Sequence, residues 1–297
     1  MLAGMLGFLN AYKPVGPTSH DVVAQVRRRI GRGVKVGHCG TLDPFAEGVL
    51  VLAVGRATRL ARYVQDQHKR YLAEVTLGAT STTDDPQGQI TPSPGAAEGD
   101  EQAVRQAVEA FVGDIMQTPP AHSAVHVNGR RAYKLARRGR QVDLPPRRVV
   151  VHEMRIVRYA YPKLELDVRC GGGTYIRALA RDIGVKLGAG AYCSRLERTE
   201  VGPFRAADAI APDRLDPTQH LLSPLTALAA LPKITVNEQQ AALLAFGKSL
   251  RVRGQSEDAE LGVVDPQGRL LAIARFDPAD GLLKPHTVLR DPQTHES

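Results

Sequence analysis

Apolar and polar residues alternate along this chain with two different periods, and the periods mark out its elements. Val22, Val23, Val26 and Ile30 recur at helical spacing. Thr18-Ser19-His20-Asp21 reads as a capping box before them, Arg27 to Arg29 crowd the last turn, and Gly31 stops the helix. Val49 to Val54 is an unbroken apolar run, the pattern of a strand buried on both faces. Tyr71, Ala73, Val75 and Leu77 alternate with polar neighbours, as do Leu164, Leu166 and Val168 within Lys163 to Arg169; each pattern predicts a strand with one face in the core. Gly88 to Gly99 is rich in Pro, Gly and Ser and reads as a surface loop. Val104, Val108, Phe111 and Val112 predict an amphipathic helix over Glu101 to Val112. After Gly171 to Gly173, an apolar stripe of Ile176, Leu179, Ala180, Ile183 and Leu187 predicts another helix, capped by Thr174.

Past a weaker Leu/Ala/Pro stretch at 222–232, a smaller unit begins. It holds a short helix opened by Asn237, a hairpin of Leu261 to Val264 and Leu270 to Phe276 around an Asp265-Pro-Gln-Gly268 turn, and a strand at Thr287 to Arg290. No internal repeat is visible. The mixture of helices and strands puts the chain in the α/β (α+β) class, and 297 residues suffice for a substantial core.

Charge adds a partner to this outline. Lys and Arg number 39 against 31 Asp and Glu, a formal net charge of +8. Nearly all of the surplus falls in one segment, where Arg130, Arg131, Lys134, Arg137, Arg138, Arg140, Arg147 and Arg148 face Asp143 alone. The spacing predicts a short helix over Arg131 to Gly139, with Ala132, Leu135 and Ala136 on a packing face and Arg130, Lys134 and Arg138 on another. Such one-signed density favours a polyanion, nucleic acid first among them. The three cysteines are odd in number and widely spaced, which argues against a disulfide frame or structural zinc and for a reducing cytoplasm. The N-terminal stretch MLAGMLGFLNAYKP has neither a basic leader nor a long apolar run, so neither signal peptide nor membrane span is expected.

Candidate chemistry gathers at GHCGTLDPFAEGVLVLAVGRATRL, residues 37–60. Asp-Pro is also a common turn opener, so Asp43 alone decides nothing. Pro44 restricts the backbone of Asp43, and the glycines around it permit unusual torsions or a close approach by a substrate. A carboxylate held there could serve as nucleophile or base, provided that a cation keeps it ionised. Arg177, in Thr174-Tyr175-Ile176-Arg177, is one candidate, with a solvated helix arginine as the plainer alternative. His38 and Cys39 are adjacent and rarely could face one another, His20 and His38 lack companions at metal-ligand spacing, and no phosphate-loop or dinucleotide fingerprint is present.

Five segments then resemble one family. Beside residues 37–60, these are YKPVGPTSHDVV (12–23), KRYLAEVTLGATSTTDDPQG (69–88), QTPPAHSAVHVNGRRAYKLARRGRQV (117–142) and CGGGTYIRALARDIG (170–184). In order and content they resemble the TruB family, tRNA pseudouridine synthases that isomerise uridine 55 in the T-loop. The resemblance implies a pseudouridine synthase fold with a large mixed, mainly antiparallel sheet and flanking helices. It implies a catalytic domain over 1–230 with a basic RNA-binding insertion at about 117–148, and a PUA-like domain over 231–297. Asp43 would be the nucleophile, Tyr71 would stack on the flipped base, and Arg177 would pair with Asp43. Tyr175 would shape the pocket, His38 would support the opened T-loop, and Asp85 would contact the flipped RNA. Arg130, Arg131 and Lys134 would grip the RNA backbone. Cys39 and Thr41 depart from the Thr and Ala expected there, without a large change of volume. The family needs no metal or cofactor; its partner is the tRNA T-arm, and the expectation is a monomer in the cytoplasm with no required protein partner. Two other readings share the scaffold: a non-catalytic tRNA-binding or tRNA-folding protein, and a guide-RNA-dependent subunit, against which the chain's own basic insertion argues.

Overall fold

The computed structural model describes residues 5–31, 33–93, 100–121, 126–127, 130–131, 144–252 and 257–289. Its main sheet is built from β1 (Gly7–Lys13), β2 (Val36–His38), β3 (Glu47–Val54), β4 (Lys69–Leu77), β7 (Gly113–Gln117), β10 (Arg147–Ala160), β11 (Lys163–Cys170), β12 (Ala191–Val201) and β13 (Phe204–Arg205). The strand order is β1-β3-β12-β4-β11-β10-β7, with β2 also on β3 and β13 on β12. Every one of these pairings is antiparallel except β12 with β3, where Glu197 and Arg198 lie beside Glu47 and Gly48. Thus a late strand is inserted between two early ones, and it carries its residues to the segment that precedes β3. Small hairpins are formed by β5 (Ala79–Ser81) with β6 (Ile90–Pro92), and by β8 (His126–Val127) with β9 (Arg130–Arg131).

β3 shows why its run is unbroken. Leu50, Leu52 and Val54 enter one core, while Val49, Val51 and Ala53 enter another on the opposite face. The first core is closed by α1 (Ser19–Ile30), α3 (Glu101–Glu109) and α4 (Ile176–Lys186), whose apolar stripes pack against the alternating residues of β4 and β11. Thr18 caps α1 in the predicted box with Asp21. The second core lies under α2 (Ala61–Gln65), where Leu60, Val64 and the edge-on pair Phe8 and Phe204 meet Leu270 and Ile273 of a second sheet. That sheet has the order β14 (Lys233–Thr235), β16 (Ala259–Val264), β17 (Leu270–Asp277), β18 (Leu282–Val288), β15 (Leu250–Arg251). α5 (Glu238–Ala245) packs on it, opened by Asn237 in a capping box.

Several expectations change. The 88–99 segment contains β6 at its start, and residues 94–99 lie outside the described residues. α3 ends at Glu109, which leaves Val112 exposed. The last strand begins at Leu282 instead of Thr287. Arg131 belongs to β9 rather than to a helix; the remainder of the expected basic helix, Lys134 included, lies outside the described residues. Among the described residues, no helix is long and apolar enough to cross a membrane, and no group of three potential ligands could hold a metal ion.

Candidate active site

Asp43 sits in the loop between β2 and β3, and that loop is fastened from several sides. Ser19, buried at the start of α1, donates to the Leu42 carbonyl at 2.9 Å and accepts from the Leu42 amide at 2.8 Å. The Pro44 carbonyl accepts from the Gly16 amide and from Lys13 Nζ. From β12, buried Arg198 donates to the carbonyls of Gly40, Thr41 and Val49. These are backbone acceptors, so the guanidinium secures the chain without competing for the Asp43 carboxylate. Gly48 has the unusual torsion expected of the glycines near Asp43, and a second constraint besides. Its φ is +107°, and a Cβ there would lie 2.3 Å from the Arg198 carbonyl oxygen. The close approach is by β12, not by substrate.

The predicted pair is formed. Arg177 Nε lies 2.9 Å from Asp43 Oδ2, and Arg177 Nη1 lies 3.1 Å from Asp85 Oδ2 and donates to the Thr83 carbonyl. The Arg177 side chain is only 4% exposed, whereas a third (33%) of the Asp43 side chain stays open. Burial pushes the Asp43 carboxyl upward, opposed first by the Arg177 charge. Arg177 therefore acts in the direction the carboxylate requires: its charge opposes desolvation and favours the anion. Thr174 does not cap α4; the N-cap is Tyr175 in extended conformation, and so Arg177 falls in the first turn, facing inward.

Asp85 occupies an unexpected place. It is buried; one oxygen accepts from Thr83 Oγ1 and the Gln87 amide, and the other meets Arg177. Its contact is with the far side of the same guanidinium. Tyr71 lies on β4 with its ring buried, beside Arg198 across the β4–β12 pairing. Burial raises the Tyr71 phenol above its usual value. His38 ends β2, half-buried and edge-on to His20 with ring centroids 5.2 Å apart. Cys39 is buried and its thiol is pushed up to about 12 by that burial, so it is no nucleophile. Tyr175 is partly exposed and stacked under Arg147. Arg130 and Arg131 form β9, with their side chains outside the description.

Lys13, Arg198 and Gln117 were given no role by sequence reasoning, yet all three are buried polar residues around this site. Lys13 is fully buried, donates to the Pro14 carbonyl, and is lowered to about 8 by desolvation, with Asp43 pulling the other way. Along Ala191–Val201, Arg198 holds a core-facing position among Cys193, Leu196 and Val201, which the strand's register shifts conceal in the sequence. A charged residue on the inward face of a strand asks for a buried partner.

The sheet topology and this carboxylate–guanidinium centre define a class. A solved structure described as a Cbf5-Nop10-Gar1 complex superposes with a TM-score of 0.73, covering 96% of this chain and 85% of that one at 24% identity, so the two share a fold. The description "TruB family pseudouridylate synthase (N terminal domain)" matches residues 27–176. Proteins named tRNA pseudouridine synthase B are similar over nearly their whole length. The one from Corynebacterium aurimucosum is 42% identical, covering 90% of this chain and 91% of its own. That of Moorella thermoacetica is 41% identical, covering 96% of this chain and 100% of its own. The chain belongs to the TruB family of pseudouridylate synthases.

Proposed function

We propose that this chain converts uridine to pseudouridine in tRNA, at position 55 of the T-loop, with Asp43 as the nucleophile. The reading is carried by one observation above the others: an anchored, partly open carboxylate held 2.9 Å from a buried guanidinium. The reaction is an isomerisation. The C1′–N1 bond breaks, C1′–C5 forms, the C5 proton leaves, and N1 takes up a proton. Nothing is oxidised and no group is donated from outside, so a carboxylate that forms and releases one covalent bond is sufficient. The base must leave its stack to expose C1′ and C5, which costs a few kcal/mol and calls for a pocket with a flat wall. Tyr71 supplies that wall and Tyr175 borders the pocket. Arg177 holds Asp43 ionised and aimed, and Asp85 braces Arg177 from behind. His38 would support the opened T-loop.

Arg130, Arg131 and Lys134, within the insertion at about 117–148, would hold the RNA backbone by charge and shape. The 231–297 segment would act as a PUA-like second contact. The similar proteins named tRNA pseudouridine synthase B support tRNA as substrate. Because the basic surface is built into the chain, the reading requires no protein partner and no guide RNA, and it is that of a monomer working in the cytoplasm.

The test is tritium release from 5-tritiated uridine in a T-arm hairpin. The parent releases tritium and Asp43→Asn releases none while still binding the hairpin. Release that survives Asp43→Asn removes the nucleophile assignment. Binding without release by the parent leaves the non-catalytic tRNA-binding reading.

A further inference from the structure

Gln117 ends β7, immediately before the basic segment, and its side chain is wholly buried. Its carboxamide is spent on one residue. Nε2 donates to the Tyr175 carbonyl at 3.1 Å, and Oε1 accepts from the Tyr175 amide at 2.8 Å. The Tyr175 carbonyl also takes the first helical bond of α4, from the Leu179 amide. Both backbone groups of the N-cap residue are therefore fixed from outside the helix, two positions before Arg177. Across the β7–β10 pairing, Gln117 stands opposite Arg147. Arg147 stacks over the Tyr175 ring, 4.9 Å from its centroid, and reaches the Gly173 carbonyl. One turn further along α4, Arg181 donates to the Thr118 carbonyl and pairs with Asp84.

We infer that Gln117 is a positioning residue for the Asp43–Arg177 pair, acting through a two-point amide clasp on Tyr175 that Arg147 closes from the ring side. A side-chain amide that both donates to and accepts from one residue imitates a strand neighbour, and it removes the hinge that a Gly171-Gly172-Gly173 turn would otherwise leave before α4. In α4, Tyr175 has no side-chain cap of its own to do this. Since Gln117 and Arg147 bracket the basic segment, its two chain ends are joined to the turn that presents Arg177. No substrate contact is assigned to Gln117; its effect passes through Tyr175 and Arg177.

The inference rests on the proposed isomerisation for its kinetic readout and on amide exchange for a readout that does not. Gln117→Met keeps the volume and removes both hydrogen bonds. With the T-arm hairpin, kcat should fall by about tenfold or more while the dissociation constant stays within about twofold. Amide exchange at Tyr175 to Arg177 should accelerate. Gln117→Glu offers a conservative rescue, because a protonated carboxyl can donate and accept as the amide does. Its activity relative to the parent should climb as pH falls from about 8 to about 6, which a loss of packing alone would not produce. Should Gln117→Met fail to fold, Gln117→Asn supplies the same two readouts with a clasp too short to close. An unchanged kcat, an equal loss in affinity, or unchanged exchange overturns the inference. If the parent itself releases no tritium, the functional reading fails, and the clasp is judged by exchange alone: acceleration sustains it and its absence ends it.

Discussion

Arg177→Met tests the centre of the site most directly. The substitution keeps a long, mostly apolar side chain and removes a guanidinium that touches two carboxylates, Asp43 at 2.9 Å and Asp85 at 3.1 Å, with only 4% of its surface exposed. Breaking a buried pair by removing one partner costs about 3–5 kcal/mol, because the other charge stays behind uncompensated. For a chain of this size that is a fall in melting temperature of roughly 10 °C at neutral pH. The nucleophile also loses the cation that lies 2.9 Å from it, so activity should fall by about tenfold to about a hundredfold. The pH dependence carries the sharper signature. In the parent, burial raises the Asp43 carboxyl and Arg177 pulls it down. Without Arg177 the folded-state value climbs further above the unfolded one. The acid limb of kcat/KM must then move to higher pH. The stability penalty must be absent below the unfolded carboxyl value and grow as pH rises through the folded one. Tritium release and thermal melts, each followed from about pH 5 to about pH 9, read both effects. Arg177→Lys, which keeps the charge, should leave the acid limb closer to the parent's. An acid limb that stays in place in Arg177→Met would refute the claim that this guanidinium keeps Asp43 ionised.

Two further predictions concern the frame around the loop. Gly48→Ala places a Cβ 2.3 Å from the Arg198 carbonyl oxygen at a φ of +107°, so the β3–β12 seam must open; a melting temperature within about 2 °C of the parent would contradict this. Lys13 is fully buried with its amine lowered to about 8, so the unfolded chain holds more protons between that value and 10.5, and stability gains from Lys13 as pH rises through this window. Lys13→Met should remove that slope in a series of denaturant melts, and an identical slope in both proteins would show that the ammonium is not desolvated.

Much of the frame was legible in the chain. The capping box of α1, the unbroken run of β3 and the strict alternation of β4 and β11 all follow from period and burial, because in each case neighbouring residues report the same face. Three strands left weak signals. β12 pairs with β4 through register shifts between Cys193 and Arg195 and between Arg198 and Glu200, and β10 pairs with β11 through shifts after Val151 and Ile156. Each shift inverts the alternation, so no single period survives along the strand. β1 is buried along nearly its whole length, which removes alternation altogether.

The site divides in the same way. Motif resemblance singled out Asp43, Tyr71 and Arg177, since their local surroundings carry the family's pattern, and the fold brings Asp43 and Arg177 together. The resemblance assigned Asp85 to the RNA, and the fold adds a buried contact between Asp85 and Arg177 that no local pattern announces.

By itself, then, the sequence determined the class of fold, the concentration of positive charge in one segment and the carboxylate that meets Arg177, because each is written in contiguous residues. Only the tertiary structure decided which polar groups are buried together. Arg198 reaches the Asp43 loop because β12 is inserted parallel to β3, and Gln117 reaches Tyr175 because β7 and β10 bring the ends of the basic segment beside α4. Contacts between residues so distant along the chain depend on strand order and register, and no local period encodes either.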